Sequence, residues 1–357
     1  MVDSKYYLHP SDKAALKALK TIPGFTQLLR AFMKVWSERQ YRITNMSSCI
    51  RMNDNQLKKY YDCLPPICEK LGIDIPELYL ELNVNPNSYT SGDTRPFVVI
   101  TSGLLETIPE ELVPTVLAHE CGHIACHHVL YSTMGRILLD GSSIALRSFV
   151  PFGDIAMFPL SVAFFYWMRC SELSADRAAV LCDGTSEKMS EVCMRLAGFD
   201  KDVNSIVNKE EFFSQAQEYR DMVKNSKWDK TLEFLFLRNK DHPLMTVRAI
   251  ECQEWGESEE YKRILDGSYL LESIEETDDT TLVDLDNKEL ENGEPEKATF
   301  SIPLFRKKKS TEQGEKLESK QGVASTPDEI RKYKELLDDG IITEEEFTLK
   351  KKQLLNI

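Results

Sequence analysis

Eight consecutive residues limit what this chain can become: Leu117, Ala118, His119, Glu120, Cys121, Gly122, His123 and Ile124. On a helix, His119 and His123 stand one turn apart on the same face, so both imidazoles can reach one ion while Glu120 stands beside them. This is the H-E-x-x-H arrangement, and zinc chemistry needs those residue types at that spacing. Neutral imidazoles hold the metal, the metal brings the pKa of its water to about 7, and a neighbouring carboxylate accepts the proton as that water attacks a carbonyl. Three fixed positions also arise by chance, so the flanks decide. Between Glu110 and Ser132, Leu112, Val116 and Leu117 precede the motif and Ile124, Val129 and Leu130 follow it, in the pattern of one buried helix. Cys121 projects away from the histidines, and Gly122, a poor helix former, suits a position that something must approach closely.

Two histidines leave a zinc site short of a third protein ligand. The segment Arg169 to Leu181 carries Glu172 and Asp176 one helical turn apart, with apolar residues on the other faces. By itself such a pair beside Arg169 and Arg177 reads as a solvated charged face. With the motif upstream it reads as Glu172 for the metal and Asp176 to hold a ligand imidazole. His127 and Cys126 are rivals, but a third ligand farther along a straight helix cannot curl around the same ion. The metzincin pattern wants Gly and His where Cys126 and Val129 stand. His127 and His128 are therefore expected to pack or to face solvent. His242, a lone histidine before Pro243, reads from its residues as a cap or loop position, with Arg248 one turn further on.

The rest of the chain frames that site. Its 357 residues, 42% of them hydrophobic, suffice for one large domain plus an appendage, and a net charge of −14 argues against a nucleic-acid partner. Nine cysteines without a C-x-x-C pair read as reduced thiols, and Met1 to Lys5 lack the features of a signal peptide, so a cytoplasmic location is expected. Four regions are expected: an N-terminal helical extension (1–41), a main domain carrying the motif (42–272), then, where the composition shifts, a flexible charged linker (273–324) and a helical hairpin (325–357) whose helices start at capping boxes. The extension reads as two helices that either cover the core or shield the cleft.

Helix is expected from Asn55 to Leu71, broken at Pro65 and Pro66, then strands at Glu77 to Leu82 and Phe97 to Thr101. The turn-rich stretch between them, Asn85 to Asp93, is either a connection or an edge strand for substrate. The uncharged run Ile155 to Met168 is too short to span a bilayer, which favours a buried helical hairpin over membrane insertion and leaves a shallow membrane contact through Phe158, Phe164, Phe165 and Trp167 open. Further helices are expected at 185–199, 208–224 and 227–238. The fold class is mainly α with a small β-sheet (α+β).

Taken together, Asn87-Ser88-Tyr89-Thr90, Thr101 to Leu105, Val116 to His123, Ser171 to Ala178 and His242-Pro243 resemble, in that order, the zinc metallopeptidases that include the bacterial heat-shock protease HtpX and the CAAX prenyl endopeptidases. The resemblance implies a gluzincin-like domain in which His119, His123 and Glu172 bind one Zn2+, Glu120 is the catalytic base and Asp176 orients a ligand histidine. It further implies that Asn87, Ser88 and Tyr89 begin a substrate-binding edge, and that His242 helps at the active site. Membrane members of the family carry spanning helices beside the catalytic helix. Here those segments are short or broken by charge, which points to a soluble or peripherally membrane-bound relative.

The tail from Thr326 to Ile357 resembles SHOCT, a short C-terminal domain linked to oligomerisation or anchoring. The expectation is a zinc metalloendopeptidase acting on protein or peptide substrates, with a setting in protein quality control and a homo-oligomer or docking partner reached through the hairpin. The alternative is a latent or non-catalytic zinc-binding scaffold assembled by that hairpin.

Overall fold

A computed structural model describes residues 1–269 except 23–24, 27, 30–31, 33–37, 93, 140–153, 199–206 and 227–243; at 38, 137–139 and 154–159 it describes backbone only. The described residues all fall within one compact unit. The expected linker, the C-terminal hairpin and the helix at 227–238 lie outside the described residues. So does His242.

The described chain is mostly helical with a small mixed sheet. The strands are β1 (Ile50–Met52), β2 (Glu77–Glu81), β3 (Ser88–Ser91) and β4 (Phe97–Thr101), in the order β1-β2-β4-β3. β2 and β4 run parallel, and β1 and β3 flank them antiparallel. All five residues of β4 are buried, as befits a central strand of Val and Ile. The turn-rich stretch before it thus contains an outer strand as well as a connection. β1 was not foreseen, because three residues are too few to set a period.

The first helix, α1 (Pro10–Lys20), has proline in its first turn and His9 Nδ1 accepting from Ser11 N–H as a cap. After α2 (Glu38–Ser48) and the single turn α3 (Lys58–Tyr61) comes α4 (Leu64–Leu71). Pro65 and Pro66 do not break a helix here; they lie in its first turn, where a missing N–H costs nothing, and the break falls just before them. Gly72, at φ 72°, closes α4. Leu64, Ile67, Cys68 and Leu71 turn inward, each large aliphatic chain contributing about 1.5–3 kcal/mol by burial.

Next come α5 (Ser102–Thr107), α6 (Val113–Ala125) and α7 (Val129–Leu139). The single helix expected across Glu110 to Ser132 is interrupted: Cys126 N–H donates to Gly122 O, His127 takes a left-handed φ of 56°, and the chain restarts at Val129. The long helix α8 (Asp154–Asp183) crosses α6, and α9 (Glu187–Gly198), α10 (Lys209–Asn225), α11 (Met245–Glu257) and α12 (Glu259–Asp266) complete the described part. Among the described residues no helix is long and apolar enough to cross a membrane.

The main core joins α4, one face of β2 and β4, α6, the second half of α8, α9 and α11. A second cluster packs Ala15, Leu19, Phe25, Leu28 and Phe32 against Tyr131, Met134 and the first half of α8 through Phe164 and Trp167. The nine cysteines are free thiols, six of them buried.

Candidate metal centre

Helix α6 is buried on nearly every side: Val116, Leu117, Ala118 and Cys121 enter the core, and His119, Glu120 and His123 are buried with them. The two histidine rings meet edge-on at 4.9 Å between centroids. Glu172 arrives from α8, and the crossing is close because the residues at the contact are small. A Cβ built on Gly122 would lie 2.7 Å from Ala178 Cβ and 3.0 Å from Ala175 Cα. Glycine is there for its lack of a side chain.

Three donor atoms converge as a result. His119 Nε2 lies 3.5 Å from Glu172 Oε2 and His123 Nε2 lies 3.3 Å from Glu172 Oε1, and one ligand atom from each of the three residues falls within 4.8 Å of the other two. Zinc bonds of about 2.1 Å at tetrahedral angles put neighbouring ligand atoms roughly 3.4 Å apart, so the donor set fits such an ion. Among the described residues no other cluster of three such side chains meets that spacing.

A charged shell backs the donors. Asp176 Oδ1 accepts from His119 Nδ1 at 2.8 Å. Arg248, buried on α11, grips Asp176 through Nε and Nη2 at 2.8 and 2.5 Å and reaches Glu172 Oε2 through Nη1 at 3.1 Å. Burial alone would raise the Asp176 pKa, but Arg248 and then His119 hold it below the ordinary carboxylate value. Burial also works against a charge on His119, yet Asp176 and Glu172 outweigh it and push its pKa up to about 9. His123 moves the other way, lowered first by burial.

Behind His123 stands a second histidine. His123 Nδ1 and His128 Nδ1 are 3.0 Å apart, and His128 Nε2 lies 2.8 Å from Asp12 Oδ2 on α1. Trp167 Nε1 donates to Asp12 Oδ1 at 2.9 Å and Ser174 Oγ to Oδ2 at 2.6 Å. Burial tends to raise the Asp12 pKa, but His128 and these donors bring it below the usual value. Of the two histidines expected to pack or face solvent, His127 is exposed and His128 is buried.

Glu120 is held from the sheet. Ser88 Oγ donates to its Oε1 at 2.6 Å and Thr90 Oγ1 to its Oε2 at 2.7 Å. Both come from β3, whose residues alternate sides. Tyr89 therefore lies on the opposite face, beside Tyr79, Phe97 and Val99, with its hydroxyl donating to Glu81 at 3.1 Å. A cleft of about 450 Å3 opens beside the donors, lined by Asn87, Ser88, Glu120 and Glu172 on the polar side, with Val116, Met189, Val192, Leu196 and Met245 among the apolar residues. Asn87 and Ser88 thus reach the cleft, while the Tyr89 side chain does not.

The structure brings together His119, Glu120, His123, Glu172 and Asp176. Sequence reasoning gave no role to Arg248, Thr90, Asp12 or His128. Two signals were available: buried Glu172 and Asp176 require a countercharge, and a histidine ligating through Nε2 requires an acceptor for Nδ1–H. Neither signal names the residue that answers it.

Comparison with known proteins agrees with this geometry. Residues 72–255 match peptidase family M48, and residues 328–355 match the short C-terminal domain SHOCT. A plastoglobule-localized metallopeptidase 48 of Arabidopsis thaliana is 32% identical over 267 residues, covering 74% of this chain and 76% of that protein. A protease HtpX homolog of Campylobacter concisus is 25% identical over 30% of this chain and 38% of its own length. One from Ralstonia pickettii is 23% identical over 42% of this chain and 59% of its own. No solved structure gives a significant match. With a family match across the whole donor set and a plant relative aligned over most of its length, the chain belongs to peptidase family M48 and is a metallopeptidase.

Proposed function

We propose that the enzyme is a zinc-dependent endopeptidase in which His119, His123 and Glu172 hold the metal and Glu120 is the general base. The observation that carries this reading is the convergence of three donors from two helices with a carboxylate beside them on an open cleft. Bound zinc would act as a Lewis acid on the scissile carbonyl and make water a stronger nucleophile at neutral pH. Glu120 takes the proton from the attacking water and returns it to the departing amine, and the Ser88 and Thr90 hydroxyls fix the carboxylate for both transfers. Asp176 holds His119 in the tautomer that leaves Nε2 free to ligate.

β3 is the last strand of the sheet and borders the cleft, which suits it to pair with an extended peptide. Substrate side chains would then enter the apolar wall of Val192, Leu196 and Met245. A scaffold with a purely structural site would close the metal with a fourth protein ligand, and the described donor set stops at three. Protein or peptide substrates, a quality-control setting, a cytoplasmic or peripherally membrane-bound position, and docking or self-association through the C-terminal module belong to the same proposal.

The test is digestion of an unfolded protein such as casein, with and without chelator, alongside metal analysis. Glu120→Gln is expected to keep one zinc per chain and lose cleavage by a factor of about a thousand or more, whereas Glu172→Ala is expected to lose the metal. Full activity in Glu120→Gln would exclude this assignment.

A further inference from the structure

We propose that Asp12, on the N-terminal helix, is a positioning residue for the metal centre that acts on His123 through His128. The proposal rests on the reading of His119, His123 and Glu172 as the ligand set.

Proton bookkeeping carries it. His123 turns Nε2 toward Glu172 and His119, so when that nitrogen ligates, the ring's single proton must sit on Nδ1. Nδ1–H then donates across 3.0 Å to His128 Nδ1, which has to be the acceptor. His128 in turn keeps its proton on Nε2 and donates across 2.8 Å to Asp12 Oδ2. With two neutral imidazoles and one ionised carboxylate, no other distribution satisfies both contacts. The result is a line from the metal ligand to a buried anion through one intervening ring.

The fold is built to keep that line. His127 adopts a left-handed conformation that non-glycine residues seldom take, and the turn brings the next ring back against His123. His128 N–H donates to His123 O at 2.9 Å, fixing the return. At the far end, Trp167 and Ser174 donate to the Asp12 carboxylate, leaving it little freedom to rotate. Asp12, His128, Trp167 and Ser174 are all at most 1% exposed, so no bulk water competes for these contacts.

The two histidines then become comparable. His119 is backed directly by Asp176 of α8, and His123 is backed at one remove by Asp12 of α1. An anion behind a ligating imidazole fixes the ring and makes it a better donor, and losing one typically weakens metal affinity roughly 10- to 100-fold. The described residues of the N-terminal segment do not line the cleft; they reach the metal centre from its opposite side.

The experiment uses the full chain. Zinc affinity is read by competition with a chromophoric chelator, and the ligand field by the visible absorption of the cobalt-substituted protein. Asp12→Asn keeps size and removes charge; it is expected to weaken zinc binding roughly 10- to 100-fold and to shift the cobalt bands. His128→Gln should do the same, and the double variant should bind no worse than His128→Gln alone, because the two side chains act in series.

Trp167→Phe removes one donor from Asp12 without interrupting the line, and is expected to lower thermal stability with zinc affinity within about threefold of the parent chain. Wild-type zinc affinity and cobalt bands in a folded Asp12→Asn protein would overturn the proposal. So would additive losses in the double variant, or an equal loss in Trp167→Phe, since either marks a packing effect. Should Asp12→Asn fail to fold, His128→Gln and Trp167→Phe carry the same comparison. Absence of zinc from the unmutated chain would instead remove the ligand reading itself, and the proposal with it.

Discussion

Arg248 does for this site what no local pattern announced. One guanidinium spans Asp176 and Glu172, and without it two buried carboxylates would face each other across a low-dielectric core. Arg248→Ala is therefore expected to destabilise the chain by about 3–5 kcal/mol, the usual cost of stranding a buried partner. Arg248→Lys should recover only part, because an ammonium keeps the charge but cannot grip both Asp176 oxygens while reaching Glu172. Urea unfolding of the three proteins in excess chelator checks this apart from metal binding, and equal midpoints would refute it. The contrast with the histidines explains what was legible. His119 and His123, like Glu172 and Asp176, sit one helical turn apart, and a period visible in a short window puts each pair on one face. Arg248 meets Asp176 across 72 positions and Asp12 meets His128 across 116, distances at which sequence states a need for a partner but not its address.

Helices and strands bring these side chains within reach, and the tightest constraint is the crossing of α6 and α8 at Gly122. On an exposed helix, glycine to alanine would gain about 1 kcal/mol. Here the added methyl would meet Ala178 Cβ at 2.7 Å and backbone atoms of Ala175 at 3.0–3.1 Å, so the helices must part. Gly122→Ala is expected to cost a net 1–3 kcal/mol or so and to weaken zinc binding by drawing Glu172 from the imidazoles. A stabilised variant with unchanged affinity would contradict this packing. β3 makes a separate case: its turn-rich composition left edge strand and connection both open, and the strand that forms aims the Ser88 and Thr90 hydroxyls at Glu120. Ser88→Ala and Thr90→Val should each lower kcat about tenfold or more through a mispositioned base, with zinc content intact. A change confined to KM would assign the hydroxyls to substrate instead.

Across the whole molecule the question is whether the N-terminal residues cover the cleft or complete the body. Val2 N–H donates to Lys70 O at 2.8 Å, Tyr7 is fully buried, His9 N–H donates to Ser174 Oγ at 3.0 Å, and His9 Nε2 lies 3.5 Å from Glu251 on α11. Leu19 and Ala15 enter the second core cluster beside Trp167. The segment is tied to three helices, which favours a part built into the body. Two of its ties are acidic and set a pH dependence. His9 hydrogen bonding, with Arg220, holds Glu251 below its ordinary pKa despite partial burial, and burial of Asp12 is outweighed by His128 and its donors.

Groups with folded values below their unfolded ones stabilise the protein above the unfolded pKa, about 4 for these carboxyls, and lose that contribution as pH falls through the folded values. Acid unfolding is thus expected to set in below about pH 4, and Asp12→Asn, lacking one such group, should flatten the slope of stability against pH there. Deleting residues 1–20 tests the larger claim. A latency segment would leave a folded and more active protease; a segment built into the core and the back of the metal site should leave an aggregation-prone chain with no cooperative thermal transition and weak zinc binding. Faster casein cleavage by a soluble, folded truncation would return these residues to the role of a lid.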